Sequence, residues 1–171
     1  MSEIIGTVSS SLQENINYMN KILPVKESFD LIQRDIIIGE RKSTFYFVDG
    51  MMKDEAMVKI MSAFFAVKKE DMPYSASGFS KMILPYVEVD ILNSYNDIVR
   101  NLLSGVTCLF VDGYEACICI DCRTYPARGV EEPDKDRALR GSRDGFVEER
   151  MRKRRKCPII CAYWRKFPLF V

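Results

Sequence analysis

Residues 107–121 read TCLFVDGYEACICID, and the reading of the fold turns on them. A β-prone apolar run leads up to Asp112-Gly113 and resumes beyond it as alternating Cys and Ile. Asp-Gly between two such runs is a strong hairpin signal, because both residues tolerate the positive φ that tight turns demand. The same tetrapeptide, Phe-Val-Asp-Gly, stands earlier at 47–50 within TFYFVDGMMKDEAM. There it joins a strand-like run to a helical stripe, where Asp49 or a following residue can satisfy the free N–H groups of the helix. The rival reading makes Asp49 and Asp112 catalytic carboxylates at strand ends. Phosphoryl chemistry would want a second acid close by to hold a metal, and neither copy has one two residues on. Turn chemistry is therefore expected at Asp49, Gly50, Asp112 and Gly113. The sequences between the copies are too unlike to make them a repeat.

Outward from these turns, ESFDLIQRDIIIG and RKSTFYFVDG read as two strands pairing across GERK. Met57, Ile60, Met61, Phe64 and Phe65 recur at helical spacing, with Asp54 and Glu55 in the first turn, where the helix dipole favours acids. DMPYSASG reads as a loop, followed by a short helix over 79–84 that Pro85 ends. YVEVDIL alternates as a half-buried strand. Asn93 or Ser94 then caps a helix whose buried face is Ile98, Val99, Leu102 and Leu103, with Gly105 as its C′ residue. Near the N-terminus, LQENINYMNKIL is a short helical segment closed by Pro24. The order of elements predicts an α/β or α+β layer arrangement around a mixed sheet with packed helices.

The chain has 171 residues, 47% hydrophobic and 29% charged, ordinary values for a soluble globular domain. No apolar run is long enough to span a membrane, and the first residues lack the basic-then-apolar pattern of a secretory signal. The net charge of +1 hides an asymmetry: from Arg150 on there are eight Lys or Arg and no acid, leaving 17 basic against 24 acidic residues before it. That end, RMRKRRKCPIICAYWRKFPLFV, reads either as a nucleic-acid or membrane-surface patch using Trp164, Phe167 and Phe170, or as a solvated tail. Pro158 and Pro168 disfavour an amphipathic helix there, so the tail reading is preferred and no nucleic-acid partner is expected.

The absence of histidine removes Ser-His-Asp and Cys-His nucleophiles and His-ligated zinc. Neither a GxxxxGK[ST] nor a GxGxxG loop is present. All six cysteines, Cys108, Cys117, Cys119, Cys122, Cys157 and Cys161, fall in the C-terminal part, which suits a reducing compartment better than a disulfide scaffold. On a strand Cys117 and Cys119 share one face and Ile118 and Ile120 the other. A four-thiolate zinc site would have to borrow Cys108 from the neighbouring strand, and the usual CxxC pairs are missing. Core packing is the expectation, with no metal and no cofactor.

Longer stretches are more specific. The run from 106 to 121, then YPARGVEEP and RALRGSRDGFVE, together with FVDGMMKDEAMVKIM and LPYVEVDILNSYNDIVRNLLSG upstream, resembles the N-terminal soluble region of GerA-family spore germinant receptor A subunits, a family with a related SpoVAF-type protein. The resemblance covers roughly residues 22–148. It implies a non-enzymatic, membrane-linked apparatus in which an A subunit acts with B and C subunits, and with other A subunits, to answer nutrients and start ion release. It also implies a two-subdomain α/β N-terminal region on the cytoplasmic (spore core) side of the spore inner membrane, followed by a membrane domain. On that basis 1–21 is a leader, 22–127 the first subdomain, 128–149 the linker and lead-in to a second, and 150–171 a divergent tail. The departure from the family pattern after Glu148 suggests a truncated or frame-shifted product, in which membrane contact would need the missing C-terminal domain.

Within the lead-in, Arg140, Gly141, Ser142, Arg143, Asp144, Gly145 and Phe146 form a polar, glycine-flanked segment. It reads as a linker or subunit interface through Arg–carboxylate pairs, or else as an anion site. A small-ligand-binding α/β sensor is the second functional reading, and a carboxylate-based enzyme at Asp49 or Asp112 the third.

Overall fold

Strand and helix alternate as α1 (Leu12–Ile22), β1 (Leu31–Ile38), β2 (Arg41–Val48), α2 (Asp54–Ala66), α3 (Ala76–Met82), β3 (Val89–Leu92), α4 (Tyr95–Leu103), β4 (Thr107–Val111) and β5 (Cys117–Ile120), with a 3-10 turn at Lys69–Asp71. This computed structural model describes residues 6–86 and 88–123, all within one unit, Met1–Arg123. The five strands lie in the order β1-β2-β4-β5-β3. Every pairing is antiparallel, so the helices pack on an antiparallel sheet rather than a mixed one. For β1–β2 and β4–β5 the reason is local, since strands joined as hairpins pair antiparallel by construction of the chain. β2–β4 and β3–β5 join strands distant in sequence, and their direction is set by how the two hairpins and β3 dock. In the first hairpin Ile38 faces Arg41, leaving Gly39 and Glu40 as a two-residue turn with φ of 53° and 64°. Two positive φ values in succession are the type I′ geometry whose twist matches that of the strands.

Strand alternation sends two sets of side chains to opposite faces of the sheet. On one face Ile36, Ile38, Phe45, Phe47, Leu109, Val111, Ile118 and Ile120 meet Ile60 and Phe64 of α2 and Phe79 of α3. Phe64 stacks on Phe45 at 5.7 Å and tilts against Phe79 at 5.3 Å. Fully burying each such side chain stabilises the fold by roughly 1.5–3 kcal/mol before entropy is subtracted. The other face lies against α1 and α4, whose Leu12, Met19, Tyr95, Ile98, Val99, Leu102 and Leu103 are buried. The result is a three-layer arrangement of helices, sheet and helices.

The α4 stripe is buried as its spacing predicts. Its end is a Schellman motif: Gly105 N–H donates to Leu102 O and Val106 N–H to Asn101 O, with Gly105 at φ 99°. On α2 the stripe is narrower than expected. Ile60 and Phe64 are buried, but Phe65 is 62% exposed because it lies one residue round the helix from Phe64. α3 begins inside the segment read as a loop, since the Ser75 hydroxyl accepts from Gly78 N–H and caps it. β3 is an edge strand, which leaves Ile91 exposed.

The N-terminal segment is tied to this body by polar contacts. Val8 N–H donates to Asn93 O. Buried Asn15 accepts from Ser9 N–H and the Tyr95 hydroxyl, and donates to Ser9 O. Tyr18 stacks on Tyr95 with ring centroids 4.1 Å apart.

Candidate functional site

The two Phe-Val-Asp-Gly copies make the same local turn. Met51 N–H donates to Val48 O and Tyr114 N–H to Val111 O, each at 3.2 Å. Gly50 and Gly113 occupy the third turn position with φ of 71° and 86°, the positive value that a type II turn requires there. Beyond the turn they differ. The Asp112 carboxylate accepts from Leu12 N–H at 3.1 Å, so it caps α1 from 100 residues away, while Gly113 N–H donates to Ser10 O. Asp49 is exposed and its backbone N–H donates to Asp30 O, extending the β1–β2 ladder.

The aspartates also sit far apart. Asp112 N–H donates to Lys42 O at the start of β2, whereas Asp49 follows the end of β2. At the usual strand rise of about 3.3 Å per residue they are on the order of 23 Å from one another, too far to share a metal or a substrate. The acid that does lie near Asp49 is Asp30, opposite it across β1 and β2. Asp30 is 8% exposed, and its Oδ2 has no hydrogen-bond partner among the described residues. Sequence reading missed this pairing because the two residues meet only through strand register.

Where the described unit ends, the chain is fastened beside the first turn. Lys53 N–H donates to Cys122 O at 2.8 Å, and Met52 forms an isolated bridge with Arg123. Arg123 pairs with Asp121, and that hydrogen bond holds the Asp121 carboxyl below its usual range. Met51 and Arg123 close over Gly105, where a Cβ would meet Met51 Sδ at 3.0 Å.

The four described cysteines fall into two groups. Cys122 turns to the Thr107 hydroxyl at 3.3 Å. Cys108, Cys117 and Cys119 converge, with all three sulfurs within 4.8 Å of one another. Sequence alternation anticipates the shared face of Cys117 and Cys119; the arrival of Cys108 follows from its pairing with Cys119 across β4 and β5. Donation from Cys108 and Cys117 pulls the Cys119 thiol down. Burial, then donation to its two neighbours, pushes Cys117 up. Cys108 is lowered by Cys117, but donation to Cys119 and burial outweigh this and leave it raised. Tyr46, on the same face of the sheet, is raised by burial and then by the charge of Asp35.

Arg140, Gly141, Ser142, Arg143, Asp144, Gly145 and Phe146 lie outside the described residues, as do Cys157, Cys161 and the basic end. Among the described residues no helix is long and apolar enough to cross a membrane.

Comparison with known proteins agrees with this architecture. Stage V sporulation protein AF of Bacillus subtilis (strain 168) is 28% identical over 137 residues, covering 79% of this chain and 28% of the relative. Spore germination protein XA of Bacillus anthracis is 34% identical over 82 residues, covering 48% of this chain and 16% of the relative. The chain thus spans less than a third of the length of these curated relatives. The crystal structure of the N-terminal domain of the A subunit of the Bacillus megaterium spore germinant receptor GerK3 matches with a TM-score of 0.56 at 20% identity, over 73% of this chain and 49% of that one, and shows the same fold. The model of the Bacillus/Clostridium GerA spore germination protein family matches residues 17–153, and the chain belongs to that family.

Proposed function

We propose that this unit is the N-terminal part of a germinant receptor A subunit that works by contact rather than catalysis. In this reading it contributes to nutrient-triggered germination through contacts with receptor B and C subunits and with other A subunits. It relays the signal to a membrane ion-release assembly from the spore-core side of the inner membrane. Residues 140–146 serve as linker or subunit interface.

The observation that carries the proposal is the fastening of the chain's exit. Lys53 N–H holds Cys122 O, and Met52 bridges Arg123, so the start of α2 and the segment leading onward share a hydrogen-bonded edge. A displacement of the lead-in is thereby felt at the first Asp-Gly turn and at α2. The separation of Asp49 and Asp112 along β2 speaks against a shared carboxylate centre.

Lys53→Pro in the full-length subunit tests the relay. Lys53 is the N-cap of α2 with φ −82°, close to the proline value, so α2 is kept while the N–H to Cys122 is removed. Spores carrying it should retain the subunit, and its co-purifying B and C partners, yet germinate more slowly in nutrient. An unchanged germination rate would contradict relay through this edge. Loss of activity through direct loss of nutrient binding, measured by titration of the isolated receptor, would favour the sensor reading instead.

A further inference from the structure

We propose that Cys108, Cys117 and Cys119 form a three-thiolate site for a thiophilic d10 cation, Cu+ or Zn2+. Cys108 on β4 stands directly across from Cys119 on β5, and Cys117 is two residues along β5 on the same face. The Cys108 and Cys119 sulfurs are 3.8 Å apart, and all three lie within 4.8 Å of one another. A metal–thiolate bond of about 2.3 Å places sulfurs about 3.8 Å apart around a tetrahedral centre and about 4.0 Å apart around a trigonal one. One edge of the triangle already has that length, and the others need a contraction of at most about 1 Å, within reach of side-chain rotation.

The donor chemistry narrows the occupant. Sulfur ligands select soft cations over Mg2+ or Ca2+. The chain contains no histidine, and Cys122 is turned away to Thr107, so the described residues offer three sulfurs and no evident fourth ligand. A three-sulfur set suits trigonal Cu+ directly, whereas Zn2+ would have to recruit a fourth ligand. α4 covers the cluster, with Ile98 O 3.8 Å from the Cys108 sulfur, and the three residues are 0–2% exposed. Loading therefore takes place during folding or local opening, and bound metal should exchange slowly. Packing alone accounts for the burial of each cysteine, since cysteine behaves as a small apolar residue. It does not call for all three sulfurs on one face while Ile118 and Ile120 fill the other.

The test uses the full 171-residue chain with Cys157→Ser and Cys161→Ser, which removes the two cysteines outside the described unit. The reduced chain is refolded without oxygen in the presence of Cu+ or, separately, Zn2+, then desalted and analysed for metal. The proposal expects one bound equivalent, held more tightly for Cu+, which Cys119→Ser abolishes and Cys122→Ser leaves in place. Because Cys119→Ser can itself disturb folding, circular dichroism accompanies it and thiol alkylation of the parent chain gives a second readout. Metal at 100 times its Kd should slow labelling of Cys108, Cys117 and Cys119 about a hundredfold, as expected for a ligand that binds only the closed state. No retained metal, retention that survives Cys119→Ser, or alkylation of the three thiols unaffected by either cation would overturn it.

Discussion

The turns at Asp49-Gly50 and Asp112-Gly113 share a sequence and a local geometry but carry different loads. Each closes a hydrogen bond across four residues and places glycine at positive φ. At the second, the aspartate also caps α1, and its glycine holds Ser10. At the first, Asp49 is exposed, and a Cβ at Gly50 would meet no heavy atom of the described residues within 4 Å beyond its own chain neighbours. A tetrapeptide thus fixes a turn, while its tertiary setting decides what else depends on it.

The largest expected effect probes the segment that the second turn anchors. Asn15→Ala strips the buried partners from Ser9 N–H, Ser9 O and the Tyr95 hydroxyl, and should cost roughly 2–3 kcal/mol in chemical denaturation. A loss below half of that would mean the N-terminal segment is held elsewhere. Gly50→Val and Gly113→Val come next, each expected to destabilise by about 1–2 kcal/mol, because a side chain at positive φ meets the following carbonyl. Equal losses would confirm that the turns themselves are alike, and a tolerated valine at either would separate them.

Asp112→Ala removes a helix cap and should cost about 1 kcal/mol, while Asp112→Asn keeps the acceptor and should cost little. Asp49→Ala should fall within about 0.5 kcal/mol of the parent. If the two alanine variants lose the same stability, the asymmetry drawn between the turns is wrong. The smallest effect appears only in alkali. Burial raises the Tyr95 phenol in the folded protein, so the fold holds a proton that the unfolded chain releases. Stability should therefore fall as pH climbs past the unfolded tyrosine value of about 10. Tyr95→Phe should flatten part of that fall in pH-dependent thermal melts, and an unchanged slope would remove Tyr95 as a contributor.

What the sequence revealed and what it hid follow from the range of the interactions. The α4 face and its Gly105 terminus were legible because helical periodicity and a C′ glycine are local signals. The β1–β2 hairpin and the split of Cys117 and Cys119 from Ile118 and Ile120 were legible for the same reason. The start of α3 was obscured by a segment rich in Ser, Pro and Gly, in which one Ser75 cap outweighs turn propensity. Phe65 fits the helical spacing yet is exposed, because spacing alone cannot tell how wide a face the neighbours of a helix will cover. The cap from Asp112 to Leu12, the apposition of Asp30 and Asp49, and the meeting of Cys108 with Cys117 and Cys119 depend on register between distant segments, which no local pattern encodes.

On the proposed reading the repeated aspartates serve geometry and not chemistry. Its most direct test is the Asp49→Asn, Asp112→Asn double variant of the full-length subunit, followed by ion release from spores challenged with nutrient. Asparagine retains the turn and the cap acceptor while removing both negative charges. Release at the parent rate is expected from spores that hold normal amounts of the subunit. Abolished release with the subunit present and folded would show that a carboxylate at one of these turns takes part in the function itself.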